Sequence, residues 1–103
     1  MAGKVSWSHE AAADLEGLAE YIARDSAFYA AAVVQEIIEA SRSLIDFPKI
    51  GRVVPELGNP NIRELFIREY RLIYHVEKHG VVILGLIHGK RDLKSLWEIE
   101  NRY

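Results

Sequence analysis

The sequence predicts an α+β fold of two layers, in which an N-terminal antiparallel helical hairpin packs on one face of a mainly antiparallel β-sheet. Apolar side chains recur at helical spacing through residues 8–47, and two serines stand where helices would begin. Residues 62–88 have the composition of consecutive strands joined by tight turns. The chain has 103 residues, 50% of them hydrophobic, which predicts one domain spanning residues 1–103.

A short strand and a first helix open the chain. Residues 4–7 alternate apolar and polar side chains as a strand does, and Ser8 is a suitable N-cap. The acidic side chains of Asp14, Glu16 and Glu20 are expected to point largely outward. The apolar stripe of this helix is predicted to contain Ala11, Leu15, Leu18, Ala19 and Ile22.

A second, longer helix follows a short link. Ser26 is its candidate N-cap, and Phe47-Pro48 ends it because proline disfavours the helical conformation of the residue before it. Its buried stripe is predicted to contain Ala30, Val33, Val34, Ile37, Ile38, Ser41, Leu44 and Ile45. The two helices would leave an apolar face exposed to water, which the second half of the chain must cover.

The second half has the pattern of a β-meander. Residues 52–54 form a short extended piece inside a loop that contains two glycines and two prolines. Residues 62–69, 70–77 and 81–88 are predicted strands, and residues 78–80 form a tight turn between the last two. A basic segment, residues 89–94, then leads to Trp97 and a polar end.

Charge divides the chain into an acidic and a basic half. Residues 1–47 hold three Lys or Arg and eight acids, and residues 48–103 hold ten Lys or Arg and seven acids. A partner surface on the basic side and an ordinary preference of exposed strands for cations explain this equally well. The overall net charge of −2 argues against a nonspecific nucleic-acid binder, because phosphate contacts require a positive excess.

Composition and motifs exclude several classes of protein. There is no cysteine, which excludes disulfides and cysteine-based zinc sites. There is no phosphate-binding or dinucleotide-binding glycine motif, and His75, His79 and His88 lack a recognised metal-ligand spacing. We therefore expect no cofactor, no metal ion and no membrane segment, and we expect the protein to be cytoplasmic.

A set of cations around the predicted meander is the main candidate site. Arginine side chains suit bidentate contacts with phosphate or carboxylate groups. If these side chains converge, they form an anion-binding patch on the open face of the sheet. An alternative is a solvated face on which they pair with Glu64, Glu69 and Glu77. The cations are Arg52, Arg63, Arg68, Arg71, Lys90, Arg91 and Lys94.

An ordered series of short motifs resembles the RelE/ParE toxin superfamily over nearly the whole chain. Toxins of this superfamily belong to type II toxin–antitoxin pairs, and their fold places two N-terminal helices against an antiparallel sheet. The resemblance therefore implies a cognate antitoxin as partner. It rests on Trp7-Ser8, Ala12, Asp14-Leu15, Tyr21-Ile22, Pro48-Lys49-Ile50-Gly51-Arg52, Ile62-Arg63-Glu64-Leu65, Tyr70-Arg71-Leu72-Ile73-Tyr74 and Ile87-His88-Gly89-Lys90-Arg91-Asp92.

Two activities in this superfamily bear on the sequence. RelE-like toxins cleave mRNA on the ribosome, and Arg71 and Arg91 align with arginines of such enzymes, with His88 as a substitute acid or base. The position of a frequent catalytic tyrosine, six residues after Arg91, is Trp97, whose indole cannot titrate usefully.

ParE-like toxins instead bind and inhibit DNA gyrase, and the segment from His88 to Asp92 resembles this branch more closely. The resemblance thus implies a gyrase inhibitor, with a ribosome-dependent nuclease or a non-toxic binding module as alternatives. No specific DNA binding is expected without the antitoxin. Trp97 joins the seven cations as a predicted residue for binding the target or the antitoxin.

Overall fold

The architecture comes from a computed structural model that describes residues 3–100 and Arg102, without the side chains of residues 99 and 100. In that part of the chain a five-stranded sheet is combined with three helices. The elements in chain order are β1 (Lys4–Trp7), α1 (His9–Ala23), α2 (Ala27–Ser43), β2 (Arg52–Val53), β3 (Ile62–Ile67), β4 (Tyr70–Glu77), β5 (Gly80–His88) and α3 (Leu93–Glu100). None of these helices is long and apolar enough to cross a membrane.

Both predicted helix caps are present. The Ser8 hydroxyl accepts a hydrogen bond of 3.0 Å from the backbone N–H of Ala11, and the Ser26 hydroxyl accepts one of 3.0 Å from that of Tyr29. Each bond satisfies a backbone donor that the first turn of a helix leaves free. The predicted helical hairpin is therefore confirmed.

The sheet has the strand order β1-β5-β4-β3-β2. Strands β2 to β5 form the predicted antiparallel meander, whereas β1 pairs with β5 in parallel. The helical hairpin joins β1 at one edge of the sheet to β2 at the other, so the chain passes through the whole meander before β5 pairs with β1. A register shift interrupts the pairing of β4 with β5, because Ile73 pairs with Gly85 and Tyr74 with Ile83, which leaves Leu84 of β5 without a paired residue.

One hydrophobic core lies between the helical hairpin and the sheet. Helices contribute side chains such as Val33 and Ile37, and the two central strands contribute Leu72, Tyr74 and Ile83; all five are fully buried. Burying this face removes the apolar surface that the helices alone would expose.

A second core covers the opposite face of the sheet, which we expected to be open. That expectation was wrong. Leu93 and Trp97 of α3 are 1% and 5% exposed, and they pack on a cluster that includes Ile73 and Leu84. Their spacing of four residues places both on one face of a helix. Asp92 begins this helix, because its carboxylate accepts a hydrogen bond of 3.2 Å from the backbone N–H of Ser95.

Candidate protein-binding surfaces

Arg71 is held by two carboxylates on the face of the sheet that α3 partly covers. Its Nη1 and Nη2 donate hydrogen bonds of 2.7 and 2.8 Å to the two oxygens of Glu56, and its Nε donates one of 2.6 Å to Glu64. The side chain is 4% exposed. The paired carboxylates raise the pKa of Arg71 above its ordinary value, and the hydrogen bonds from Arg71 lower the pKa of Glu56.

Glu64 joins this pair to a second arginine. Its other carboxylate oxygen accepts a hydrogen bond of 2.6 Å from Nε of Arg52, whose guanidinium lies 5.0 Å from the ring centre of Phe66. The arginine–glutamate cluster of Arg52, Glu56, Glu64 and Arg71 thus contains two cations and two anions. Because its formal charges cancel, it is a poor site for an external phosphate.

Arg63 lies on the other face of the sheet from Arg71, although their strands are neighbours. Arg63 pairs in register with Tyr74, and Arg71 pairs with Phe66. The Nη1 of Arg63 donates hydrogen bonds of 2.9 and 3.4 Å to the carbonyl oxygens of Gly51 and Lys49. The two arginines therefore do not converge on one patch.

Three of the remaining predicted cations, Arg68, Lys90 and Lys94, are exposed and lie apart from the arginine–glutamate cluster. Arg68, at the turn between β3 and β4, donates to Glu36 at 2.9 Å and to the Tyr29 hydroxyl at 2.8 Å, both on α2. Lys90 follows β5, and Lys94 lies on the exposed side of α3.

Arg91, the last of these cations, lines a groove together with His88. This α1–α3 groove has a volume of about 550 Å³ and lies between α1, the carboxyl end of β5 and α3. Its apolar walls include Leu18, Tyr70 and Leu96. The predicted partner-binding residue Trp97 is instead buried in the second core.

Asp14 secures the α1–α3 groove and corrects the expectation that this side chain points outward. Its Oδ2 accepts hydrogen bonds of 3.0 Å from the backbone N–H of Leu86 and 2.6 Å from Nη1 of Arg102. Its Oδ1 accepts one of 3.1 Å from Nη2 of the same arginine. The carboxylate thereby links α1, β5 and the segment after α3.

Two exposed aromatic side chains lie near the turn between α1 and α2. Tyr21, which lines the groove, is 66% exposed, and Phe28 at the start of α2 is 86% exposed. Neither contributes to a core. Large exposed apolar side chains beside a groove are typical of protein-binding surfaces.

The sequence itself agrees with a toxin family. A family model described as "ParE toxin of type II toxin-antitoxin system, parDE" matches residues 5–93. The chain belongs to the ParE toxin family. No curated protein sequence matches it.

Solved toxins with the same fold come from both branches of the superfamily. A chain of the chromosomal ParDE system from P. aeruginosa superposes with a TM-score of 0.70 at 24% identity, over 84% of this chain and 95% of that one. A mutant of E. coli toxin RelE in the free state gives 0.69 at 16% identity, over 98% of each chain. The RelBE2 toxin–antitoxin complex from Mycobacterium tuberculosis gives 0.61 at 22% identity, over 85% of this chain and 99% of that one.

Within this ParE-family fold, the predicted site residues are divided among several surfaces. The structure brings Arg52 and Arg71 together through Glu64, and it brings His88 and Arg91 together in the α1–α3 groove. Arg63 lies elsewhere. None of the described residues form a group of three or more metal-binding side chains.

Glu56 is the site residue that sequence reasoning missed. It lies in a loop 15 positions before Arg71, so no strand register or helical spacing relates the two. Glu64 had a signal, because it was a candidate cross-strand partner and does bind Arg71 across β3 and β4.

Proposed function

We propose that this ParE-family chain is a toxin that inhibits DNA gyrase by binding it, with no bond cleavage of its own, and that a cognate antitoxin neutralises it. The observation that carries the proposal is the pairing of Arg71 with Glu56 and Glu64. These bonds engage the Arg71 guanidinium, one of the two that a nuclease would direct at phosphate.

The surroundings of Arg71 and Trp97 are poorly suited to the cleavage of mRNA. Charge develops on the phosphate in the transition state and needs free cations, and the leaving oxygen needs a titratable acid. Arg71 is 4% exposed and already donates to two carboxylates. Trp97 is 5% exposed and carries an N–H that is no useful acid at neutral pH. Binding without chemistry needs neither group.

The α1–α3 groove is our proposed surface for the antitoxin. Its apolar walls would take one face of an amphipathic helix, as in other helix-in-groove complexes. Arg102 already neutralises Asp14, which leaves Arg91 and His88 as the groove's polar contacts for acidic side chains. An antitoxin segment with apolar anchors and carboxylates fits this lining.

Gyrase inhibition is tested with purified protein and with cells that express it alone. We expect growth arrest, induction of the DNA-damage response and loss of gyrase supercoiling in vitro. The RelE-like alternative predicts codon-dependent mRNA cleavage with normal supercoiling, and that result would replace the gyrase proposal. Growth without arrest would favour the non-toxic binding module.

The antitoxin surface is tested with the protein encoded by the adjacent reading frame. Charge reversal of Arg91 together with Tyr21→Ala should weaken its binding by more than roughly tenfold, because both a charged contact and an aromatic anchor are lost. Lys4→Glu, a charge reversal away from the groove, is the matched control. Equal binding by the double variant and the wild type would exclude the groove. Arg71 is unsuitable for this test because its reversal would leave buried like charges.

A further inference from the structure

The turn that follows α2 exposes two large apolar side chains. Phe47 and Ile50 are each 62% exposed, and the backbone N–H of Ile50 donates a hydrogen bond of 3.2 Å to the carbonyl of Phe47. Pro48 and Lys49 lie between them, so the four residues form a tight turn with an apolar side chain at each end. Neither side chain belongs to either hydrophobic core.

Two polar side chains, Tyr74 and Arg63, hold this 47–50 turn in place. The hydroxyl of Tyr74, a fully buried residue, accepts a hydrogen bond of 2.9 Å from the backbone N–H of Gly51. Arg63 donates to the carbonyls of Lys49 and Gly51 from the same side. A Cβ at Gly51 would lie only 2.7 Å from the Tyr74 oxygen, so only glycine allows this approach. The backbone that carries the exposed pair is therefore held in place.

Positive charge prevails around the 47–50 turn although the whole chain is acidic. The adjoining pocket, of about 470 Å³, has charges that balance, since its lining includes Lys4, Lys78, Asp46 and Glu77. Lys49 on the turn and Arg63 beneath it remain as a positive surplus. Arg52, the next cation along the chain, is paired with Glu64.

The 47–50 turn and the α1–α3 groove lie at opposite ends of the molecule. The groove is at the carboxyl end of β5, with His88 in its lining, whereas Pro48 lines the pocket at the amino end, beside Gly80. The nine residues of β5 span roughly 30 Å. A partner in the groove would leave the turn accessible.

We propose that the 47–50 turn is a preformed docking element for the protein that the toxin inhibits, and that this partner offers an apolar pocket bordered by carboxylates. Phe47 and Ile50 are its anchors, and Lys49 faces the carboxylates. Because the backbone of the turn is held before binding, the turn loses less conformational freedom on association, which favours affinity. This inference rests on the proposed function, because it takes the partner to be the protein that the toxin inhibits and not the antitoxin.

The test compares the double variant Phe47→Ser, Ile50→Ser with the full-length wild-type chain. Phe66→Ser, which replaces an exposed aromatic side chain on the other face of the sheet, is the matched control. Growth arrest, binding to purified gyrase subunits and co-purification with the antitoxin are measured for each. Circular dichroism confirms the fold, which exposed substitutions should leave intact.

The double variant is expected to lose growth arrest and more than roughly tenfold in affinity for gyrase, because two central anchors are removed. It should still co-purify with the antitoxin. Lys49→Glu should weaken the same binding with both anchors present, and more strongly at low salt. The control should resemble the wild type.

Undiminished growth arrest by the double variant would overturn the docking proposal, as would loss of antitoxin binding by that variant. Failure of the gyrase proposal gives a different pattern. The wild type would then arrest growth without binding gyrase, and loss of that arrest in the double variant would still support a docking role for another target.

Discussion

On the face of the sheet that α3 partly covers, ion pairs determine whether an arginine is available to bind another molecule. Arg71 and Glu64 are both nearly inaccessible to water, and each depends on the other to offset the cost of burying its charge. Glu56 completes the pair from a loop, with its side chain one-third exposed. These two glutamates turn a cationic strand position into a neutral part of the protein interior.

Removing the buried arginine should destabilise the protein strongly. Arg71→Met leaves Glu64 buried with Arg52 as its remaining charged partner, so we expect a loss of about 3–5 kcal/mol in the free energy of unfolding. Urea denaturation measures this loss. Arg52→Met is the matched control and should cost less, because Arg52 is 58% exposed and water screens its pair. Equal losses of unfolding free energy for the two variants would contradict the larger contribution that we assign to the buried Arg71.

Acid should weaken the contribution of Glu56. Hydrogen bonds from Arg71 lower the pKa of Glu56 below its ordinary value of 4.5, so the unfolded chain takes up this proton first as the pH falls. The stabilisation is therefore complete above pH 4.5 and is lost as the pH falls through the lowered pKa. Denaturation of the wild type and of Glu56→Gln across this range should show their stability difference shrinking. A difference independent of pH would contradict the assignment.

At the scale of elements, the helices and strands of the two layers were predictable because each carries its own periodic pattern. Ser8 and Ser26 mark helix starts by local chemistry alone. Helix α3 was missed because it has only eight residues, although Leu93, Leu96 and Trp97 are spaced as on one face of a helix. Its role depends on a second core assembled from distant segments, which no local pattern encodes.

The conformation of the 47–50 turn should depend on Tyr74. Tyr74→Phe removes the acceptor of the Gly51 N–H, and a buried donor without a partner costs about 1–3 kcal/mol. We expect faster hydrogen exchange of the Gly51 amide and weaker growth arrest, because the docking anchors lose their fixed position. Tyr29→Phe removes an exposed hydroxyl on α2 and is the control. Unchanged exchange at Gly51 would show that Tyr74 does not order the turn.

Because Tyr74 is buried, its hydroxyl should also make the stability of the protein depend on pH at high pH. Desolvation raises the pKa of its hydroxyl above the ordinary value of 10.0, so the unfolded chain releases this proton before the folded protein does. The resulting stabilisation is present below pH 10 and is lost as the pH rises through the raised pKa. Tyr74→Phe should therefore lose less stability than the wild type above pH 10 in thermal unfolding. Parallel losses would contradict a buried, protonated hydroxyl.

For the whole molecule, the two cores are joined by the strands between them. In β4, Leu72 belongs to the core beneath the helical hairpin and Ile73 to the core beneath α3. In β5, Ile83 and Leu84 are divided in the same way. Because disrupting either strand disturbs both cores, we expect the chain to unfold as one cooperative unit.

The two tryptophans test this expectation because they lie on opposite faces of the sheet. Trp7 packs against the first core, and Trp97 is buried in the second. In Trp97→Phe the fluorescence reports the first core, and in Trp7→Phe it reports the second. Within each variant the fluorescence midpoint in urea should coincide with the midpoint from circular dichroism. If the Trp97 signal changed at lower urea, α3 would be shown to leave the sheet while the helical hairpin stays folded. The second face of the sheet would then open without global unfolding.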